Sequence, residues 1–211
     1  MEKELLPLLE LCGEYSETQL MGFRVFSFVK YPDITAILSE VGEVRAAIAT
    51  TLLIEVYKVE YVVNYGYVGS YCSDLMLGEL VNITSVVHCD VDLTFCGDKP
   101  GQYDGLDFVE FPADTTLFEK IGVRNIKLSS SDKFLGKGQD LQKIIDTFGK
   151  NVSDMEGAGI AVACYKAGIS FSMLKCVSNT PDNSYDEYME FSKHEIKECA
   201  EKVFEVICTD I

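Results

Sequence analysis

Apolar runs rich in β-branched residues alternate along the chain with segments whose apolar residues recur at helical spacing. The first kind predicts buried strands, and the second predicts helices, several of which end at a glycine. The predicted strands cover 34–39, 60–66, 78–92, 124–130 and 169–178. The predicted helices cover 41–57, 115–122, 140–149, 154–168 and, as one long amphipathic helix, 184–210. This alternation predicts a layered α/β fold with helices on both faces of the sheet, in which ligands bind at the carboxyl ends of the strands.

The composition is that of a globular protein, which we expect to form a single domain over residues 1–211. Of the 211 residues, 47% are hydrophobic and 25% are charged, and the sequence has no internal repeat or linker. The formal net charge of −16 repels phosphate backbones and anionic lipid, so we expect neither nucleic-acid nor membrane-surface binding. No apolar run reaches the ~18 residues of a membrane span, and the N-terminal residues do not resemble a signal peptide. We therefore expect a cytoplasmic protein.

The eight cysteines do not indicate a disulfide framework or a metal site. None belongs to a CxxC pair, and the two histidines, His88 and His194, are far apart in sequence. Asp90 and Asp92 could ligate a metal ion, but a solvated strand end is the simpler interpretation in the absence of nearby ligands. We expect reduced thiols, no metal and no cofactor.

The segment SDMEGAG, residues 153–159, permits two interpretations. Ser153 and Glu156 have the spacing of a capping box at a helix start. Alternatively, the Glu156 carboxylate accepts hydrogen bonds from a polyol such as a ribose. Gly157 and Gly159 cost a helix roughly 0.8–1 kcal/mol each relative to alanine, which suggests that something approaches this backbone closely.

Four sequence blocks occur in an order typical of one enzyme superfamily. They are MEKELLPLL, SEVGEVRAAIATTLLIE with VVNYGYVGS, HCDVDLTFCGDKPGQYDG, and DMEGAGIAVACYKAGISFSMLKCVSNTPD. Taken alone, SNTPD is an ordinary turn, and NYGYVGS lacks the lysine and third glycine of a nucleotide-binding loop. Together, the blocks resemble the nucleosidases and purine nucleoside phosphorylases, and in particular the methylthioadenosine/S-adenosylhomocysteine nucleosidases, over roughly residues 1–190.

The resemblance implies a nucleoside phosphorylase-like fold, a three-layer α/β/α sandwich around a central mixed sheet. It also implies a homodimer with sites near the interface and a small-molecule purine nucleoside as ligand. The expected reaction is hydrolysis of the N-glycosidic bond. In the family a first strand precedes the segment that MEKELLPLL resembles, so either this sheet lacks that strand or the match at Glu4 is accidental.

The resemblance also implies roles for individual residues. Glu4 matches the acid that positions and activates the attacking water. Met155 and Glu156 match the ribose contacts, with Glu156 on the 2′ and 3′ hydroxyls. Phe134 and Leu135 match the pair that sandwiches the purine and binds it through the backbone.

At the purine edge the sequence departs from the family pattern. Ser178 and Asn179 match a Ser-Asp pair at N7 and the exocyclic group, so the expected acid is an amide here. Breaking the bond requires the leaving purine to be protonated or strongly hydrogen-bonded, and an amide cannot give up a proton. Asn179, which with Glu4 is a candidate catalytic residue, therefore suits a 6-oxopurine of the hypoxanthine or guanine type. The alternative is that activity on adenine nucleosides is crippled.

Two further departures concern residues expected to contact the substrate. In the segment of Tyr67, Val68 and Gly69, the tyrosine replaces a serine. Lys175 replaces the arginine that lies three residues before the serine of the Ser-Asp pair. All four residues are candidate substrate-binding positions by the same resemblance.

The nucleophile and the activity are each open to an alternative. Phosphorylases of this superfamily surround phosphate with arginines, commonly at the position of Asn64. Arg45 could approach the site, but one cation in a protein of net charge −16 is a poor phosphate trap. Water is therefore the expected nucleophile, and phosphorolysis is the alternative. The changes at Tyr67, Lys175 and Asn179 also allow a catalytically weakened, nucleoside-binding homologue.

Overall fold

The computed structural model describes residues 1–135, 138–181, 184–193 and 196–209. Its strands are β1 (Tyr15–Leu20), β2 (Phe23–Phe28), β3 (Thr35–Ile37), β4 (Tyr61–Ser70), β5 (Leu80–His88), β6 (Glu110–Pro112), β7 (Arg124–Ser130), β8 (Val152–Asp154) and β9 (Ser170–Asn179). Its helices are α1 (Glu2–Cys12), α2 (Glu43–Tyr57), α3 (Thr116–Glu119), α4 (Gln139–Phe148), α5 (Gly157–Ala167), α6 (Ser184–Phe191) and α7 (Lys197–Thr209). None of the helices in these ranges is long and apolar enough to cross a membrane.

The central sheet is mixed and curls back on itself. Its strands follow the order β6-β5-β7-β8-β4-β9, and β9 also pairs with β5 over 80–82. β4 runs parallel to β9 and β5 runs parallel to β7, whereas β5 is antiparallel to both β6 and β9. A smaller antiparallel sheet contains β1, β2 and β3. The predicted central mixed sheet is confirmed.

Alternate residues of β9 face two hydrophobic cores. Met173 and Val177 lie in the core that α2 and α5 cover, whereas Leu174 and Cys176 lie in the core that α1 and α7 cover. This alternation follows from the two-residue period of a strand. Because helices cover both faces of the sheet, the predicted three-layer arrangement is confirmed.

One edge of β4 is paired along its length, and the other is mostly open. β9 pairs with β4 from Tyr61 to Gly69, but β8 pairs with the opposite edge only at Gly69 and Ser70. Within the described residues, the stretch 61–68 of that edge borders a cavity instead of a strand. This open edge is consistent with the expectation that the sheet lacks a first strand.

Two predicted boundaries near the carboxyl ends of the strands were wrong. The glycine-rich segment after residue 66, predicted as a turn, continues β4 to Ser70. It stays extended because β9 pairs with it as far as Gly69, with a bulge after Val68. The helix predicted over 154–168 begins only at Gly157, because residues 152–154 form β8 between β4 and β7.

The chain termini also differ from the sequence-based prediction. The patterns in residues 1–33 predicted no element, yet they form α1 and the antiparallel pair of β1 and β2. The long helix predicted over 184–210 is two helices, α6 and α7, which pack on different parts of the fold. α6 packs against β9, whereas α7 packs against α1 as well as β4 and β9. Residues 194–195 of that prediction lie outside the described residues.

Candidate active site

A cavity of about 890 Å³ extends along β4 and past the carboxyl ends of β4 and β9. This is the place where ligands bind in layered α/β folds. Every residue that the sequence predicted for the site lines this cavity. These residues are Glu4, Tyr67, Val68, Gly69, Phe134, Leu135, Met155, Glu156, Lys175, Ser178 and Asn179.

Glu4 reaches the cavity from the first turn of α1. Its Oε1 accepts a hydrogen bond from the backbone N–H of Tyr67 at 2.9 Å, and its Oε2 contacts the α-amino group of Met1. The approach to β4 depends on Gly66, since a Cβ there would stand 2.7 Å from Glu4 Oε1. The phenol of Tyr65 donates to the Glu4 carbonyl at 2.8 Å and fixes the helix start as well. The structure thus places a half-enclosed carboxylate at the cavity wall.

Glu156 precedes the first turn of α5 and turns its carboxylate into the cavity. The carboxylate accepts hydrogen bonds from the backbone N–H groups of Gly42 and Met155, each at 3.3 Å. Burial, reinforced by the negative charge of Asp154, raises the pKa of Glu156. The capping-box interpretation of Ser153 and Glu156 was wrong, because Ser153 lies in β8 and no side chain caps α5 in that way.

The two glycines that begin α5 serve helix and strand packing. A Cβ on Gly159 would stand 2.2 Å from the backbone oxygen of Glu43 in α2. A Cβ on Gly157 would stand 2.5 Å from a methyl carbon of Leu128. The expectation of a close approach to this backbone is therefore confirmed, but the approaching groups belong to the protein and not to a ligand.

Lys175 was predicted to contact the substrate, and the structure pairs it with Asp154. The ammonium nitrogen lies 2.9 Å from Asp154 Oδ2, and the two side chains are only 2% and 1% exposed. Burial alone would raise the pKa of Asp154, but the adjacent ammonium lowers it below its usual value. Asp154 Oδ1 also accepts the backbone N–H of Gly157 at 3.0 Å, so this carboxylate also binds the first residue of α5. Asp154 was not predicted as a site residue; an acid at a strand end just before a helix was the available signal.

Ser178 and Asn179 lie at the end of β9, both almost fully buried. Ser178 Oγ lies 2.9 Å from Asn179 Oδ1 and 3.1 Å from the carbonyl oxygen of Val68. With Oδ1 turned to Ser178, the amide nitrogen lies on the side of Gly69, where a Cβ would stand 2.8 Å from it. The glycine therefore makes room for the amide that the sequence predicted at the purine edge.

Aromatic side chains gather at one end of the cavity. Phe134 is 44% exposed, and its ring centroid lies 5.3 Å from that of Tyr188 and 6.1 Å from that of Tyr185. Leu135 is buried in a small core with α4. Tyr188 lines the cavity and was missed as a site residue, because its place in the sequence indicated only the apolar side of a helix. Exposed aromatic faces of this kind can stack on a planar base.

Each of the three arginines pairs with at least one carboxylate. Arg24 pairs with Glu2 and Glu17, Arg45 pairs with Glu40, and Arg124 pairs with Asp74. None of the three lines the cavity. Within the described ranges, no group of histidine, cysteine and acidic side chains is arranged to hold a metal ion.

Tyr67 contributes mainly to packing. It is 7% exposed, and its ring meets that of Phe191 edge to face at a centroid distance of 6.0 Å. Its backbone N–H is the group that binds Glu4. The tyrosine that replaces the family's serine thus joins β4 to α6 beside the cavity.

Comparison with known proteins identifies the family of the chain. Residues 1–208 match the family model described as the phosphorylase superfamily. A 5′-methylthioadenosine/S-adenosylhomocysteine nucleosidase from Colwellia psychrerythraea is 30% identical over 210 residues, which cover 90% of this chain and 86% of that protein. An aminodeoxyfutalosine nucleosidase from Helicobacter pylori is 29% identical over 92% of this chain and 90% of its own length.

Solved structures show the same architecture. A Colwellia psychrerythraea nucleosidase in complex with adenine is 27% identical and superimposes with a TM-score of 0.90 over 98% of this chain and 90% of that chain. A Helicobacter pylori nucleosidase, 23% identical, has the same fold with a TM-score of 0.92 over 100% of this chain and 95% of its own. The chain belongs to the phosphorylase superfamily and, within it, to the family of the 5′-methylthioadenosine/S-adenosylhomocysteine nucleosidases.

Proposed function

We propose that this protein is a purine nucleosidase, which uses water to break the N-glycosidic bond of a nucleoside. The observation that carries the proposal is the meeting of Glu4, Glu156, Ser178 and Asn179 in one cavity. In this assignment Glu4 activates the water, Glu156 binds the sugar, and the Ser178–Asn179 pair binds the base. The relatives' names supply the substrate class, a purine nucleoside of the methylthioadenosine or adenosylhomocysteine type. Asn179 favours a 6-oxopurine analogue of it.

Glu4 acts as general base in this proposal. Its Oε1 is already held by the N–H of Tyr67, so the carboxylate has a defined orientation before substrate arrives. A carboxylate in such a position accepts a proton from water as the water attacks the anomeric carbon. Its negative charge also stabilises the oxocarbenium-like sugar of the transition state.

Glu156 binds the sugar hydroxyls. Two backbone N–H groups, of Gly42 and Met155, orient its carboxylate toward the cavity. Hydroxyl groups of the 2′ and 3′ carbons then donate hydrogen bonds to it, which replaces the hydration that the buried carboxylate lacks. Met155, its neighbour on the cavity wall, contacts the sugar face.

Asn179 stabilises the leaving purine by donating hydrogen bonds. Ser178 occupies the side of the amide oxygen, so the amide NH₂ is the group aimed at the base. An NH₂ donor matches the N7 and O6 acceptors of a 6-oxopurine, whereas a 6-amino group would place donor against donor. The stacking partners of the base are Phe134 and Leu135, with Tyr188 beside them.

Hydrolysis is favoured over phosphorolysis by the positions of the arginines. Arg24 and Arg124 pair with carboxylates outside the cavity, and Arg45 pairs with Glu40 at the cavity wall, so none of the three can clamp a phosphate there without leaving its partner. Lys175 is neutralised by Asp154. A dianion would therefore enter a cavity whose remaining charges are largely negative.

The test of this function is the release of free base from paired 6-oxo and 6-amino nucleosides, with and without inorganic phosphate. We expect release in water alone, and loss of release in Glu4→Gln. Glu10→Gln, an exposed change on the same helix, is the matched control and should behave as wild type. Strict dependence on phosphate would establish phosphorolysis, and binding without any release would establish a catalytically silent homologue.

We also propose that the protein works as a cytoplasmic homodimer. Val44 and Ile48 are exposed on one side of α2, and the exposed Val41, just before the helix, also lines the cavity. An exposed apolar strip of this kind beside a ligand site favours burial against a second copy. Light scattering should give a dimer for wild type and for Val56→Asp, an exposed control on α2, but a monomer for Val44→Asp.

A further inference from the structure

Behind the cavity wall, four buried polar side chains form a continuous chain. Ser130 Oγ contacts Glu43 Oε1 on one side and lies 2.5 Å from Asp154 Oδ1 on the other. The second oxygen of Asp154 lies 2.9 Å from the Lys175 ammonium nitrogen. Glu43, Ser130 and Lys175 are at most 4% exposed, and Asp154 is 8% exposed as a whole residue, with its side chain only 1% exposed. The two carboxyl groups are therefore bridged by one hydroxyl away from bulk water.

A single hydroxyl between two carboxyl groups favours a proton on one of them. A serine hydroxyl has a single hydrogen, so it donates fully to only one carboxylate. The other carboxyl oxygen makes a hydrogen bond to Ser130 Oγ when it carries a proton. Asp154 has the Lys175 ammonium and the Gly157 N–H as partners, which favour its charged form. Glu43 has no cationic partner among the described residues, so the proton belongs on Glu43.

The surroundings of Glu43 favour the same assignment. The charged or titratable groups near it are Asp154 and Lys175 of the chain, Glu156 at the start of α5, Asp132 after β7, Cys89 directly after β5, and Tyr103 in the segment between β5 and β6. Of these, Lys175 is already paired with Asp154. Burial, together with the negative charge of Asp154, raises the pKa of Glu43 to about 8.

Glu43 is connected to Glu156 through the start of α2. Its Oε2 accepts the N–H of Gly159 in α5 at 2.5 Å, and its own N–H donates to Asp132 Oδ1 at 2.8 Å. The preceding residue, Gly42, donates its N–H to the Glu156 carboxylate. Any movement of Glu43 therefore moves the donor that orients Glu156.

We propose that Glu43 is a positioning residue, which in its protonated form donates to Ser130 and so holds the start of α2 where Gly42 orients Glu156. When Glu43 loses the proton, two carboxylates face one hydroxyl hydrogen and repel each other, and the start of α2 moves away from α5. The effect of Glu43 on sugar binding rests on the proposed function of Glu156. The protonation of Glu43 does not depend on that function.

Glu43→Gln is the variant that isolates the proton. The glutamine amide donates to Ser130 as the protonated acid does, and its oxygen still accepts from Gly159, but the side chain does not titrate. Glu55→Gln, an exposed change on the same helix, is the matched control. The protein without ligand is followed by infrared spectroscopy of protonated carboxyl groups and by the amide NMR resonances of Gly42 and Gly159 across pH 6–10, a range set about the pKa of about 8.

In wild type and Glu55→Gln, we expect one protonated carboxyl band at neutral pH and a joint titration of the Gly42 and Gly159 amides. Both signals should be absent in Glu43→Gln. Nucleoside affinity should fall about tenfold for each pH unit above the transition in wild type, because only the protein with protonated Glu43 binds the nucleoside. This decline of affinity should be absent in Glu43→Gln.

Two results would overturn the proposal. One is a Gly42 amide that titrates in Glu43→Gln as it does in wild type, and the other is a carboxyl band that the substitution leaves in place. If no variant binds a nucleoside, the proposed function fails, but the infrared and NMR results still decide whether Glu43 carries the proton and positions Gly42.

Discussion

The carboxylate of Glu4 is held 2.9 Å from the backbone nitrogen of Tyr67, so the first turn of α1 and the middle of β4 share one wall of the cavity. This relationship depends on the residue before the tyrosine, because Gly66 has no Cβ to occupy the place of the carboxylate. A carboxylate that reaches a strand over a glycine can be displaced without touching the core.

Gly66→Ala should therefore reduce turnover more than stability. The new Cβ would stand 2.7 Å from Glu4 Oε1, the far end of a side chain that can rotate away. We expect kcat/KM to fall by roughly 10- to 100-fold, since a displacement of about 1 Å at the reacting groups has costs of this size. The measurement is steady-state hydrolysis together with thermal unfolding, and Tm should change by only a few degrees.

Gly159→Ala is the comparison for that prediction, because its Cβ would meet backbone and not a side-chain end. The contact with the Glu43 carbonyl, at 2.2 Å, forces α2 and α5 apart. We expect a loss of ~1–3 kcal/mol in the free energy of unfolding, measured by urea denaturation. Equal destabilisation by the two alanine substitutions would contradict both predictions.

Glu156→Gln should weaken nucleoside binding and leave the fold intact. The carboxylate is not a cap of α5; its Oε1 accepts the N–H of Gly42 and its Oε2 that of Met155, both at 3.3 Å, and a glutamine oxygen can keep one of these two long bonds. Loss of charge-assisted hydrogen bonds to two hydroxyls should raise Kd by about 10- to 100-fold, measured by calorimetry. Unchanged binding with a lower Tm would restore the capping interpretation.

Asp154→Asn, in contrast to Glu156→Gln, should lower the stability of the fold. It removes the partner of the Lys175 ammonium, which is then left charged and buried. Breaking one side of a buried ion pair costs ~3–5 kcal/mol, so we expect a large loss of stability by urea denaturation. Asp146→Asn, an exposed change on α4, is the control and should remain within ~0.5 kcal/mol of wild type.

Asn179→Asp should change which purine is preferred. In wild type, a 6-oxopurine nucleoside should be favoured over its 6-amino counterpart by roughly 10- to 100-fold, the cost of an unmatched buried polar pair being ~1–3 kcal/mol. The aspartate should reverse or flatten this ratio and raise hydrolysis of methylthioadenosine, because it can hold a proton for N7. The measured quantity is the ratio of kcat/KM, or of Kd if turnover is absent; identical ratios in the two proteins would show that residue 179 does not read the base.

The stability of the protein should depend on pH through Glu43. Its folded-state pKa of about 8 lies above the 4.5 of an unfolded glutamate, so the folded state holds a proton that the unfolded state releases. The contribution of this proton to the free energy of unfolding is fully present below pH 4.5 and is lost as the pH rises toward 8. Urea denaturation from about pH 5 to about pH 8 should show this decline in wild type and a smaller one in Glu43→Gln.

The stability at acidic pH should reflect Asp154 instead. Its pKa is lowered, so its contribution is present above the unfolded value and is lost as the pH falls through the folded one. Glu43→Gln should not alter this acidic limb. A decline toward pH 8 that is the same in both proteins would show that Glu43 is not its source.

The sequence predicted which residues line the cavity better than it predicted the local structure around them. Glu4, Glu156 and Asn179 were found because their residue types occur in the order of a known family, and all three line the cavity. Lys175 was assigned to the substrate because a sequence does not show that a buried ammonium and Asp154 will pair across two strands. Such tertiary partners decide the role of a charged side chain, and its chemical type does not.

The same limit applies to the glycines and to β4. Two spaced glycines after residue 66 are typical of a turn, yet pairing with β9 keeps them in a strand. Gly159 was correctly taken as a point of close approach, but only the packing of α2 on α5 shows what approaches. Tyr188 was not predicted as a site residue, because its helical pattern does not show that α6 lies at the cavity.

The alternation of β9 between two cores has a consequence for the order in which the protein opens. Its residues Met173 and Leu174 belong to opposite layers, and Ser178 and Asn179 continue the same strand into the cavity. The end of the cavity that contains Ser178 and Asn179 therefore cannot loosen as a surface loop would. Amide hydrogen exchange in β9 should require opening of both layers, so its protons should be among the slowest to exchange. The proposed purine edge is thus built on a strand anchored in both layers, whereas the proposed sugar contact, Glu156, lies where the starts of α2 and α5 meet.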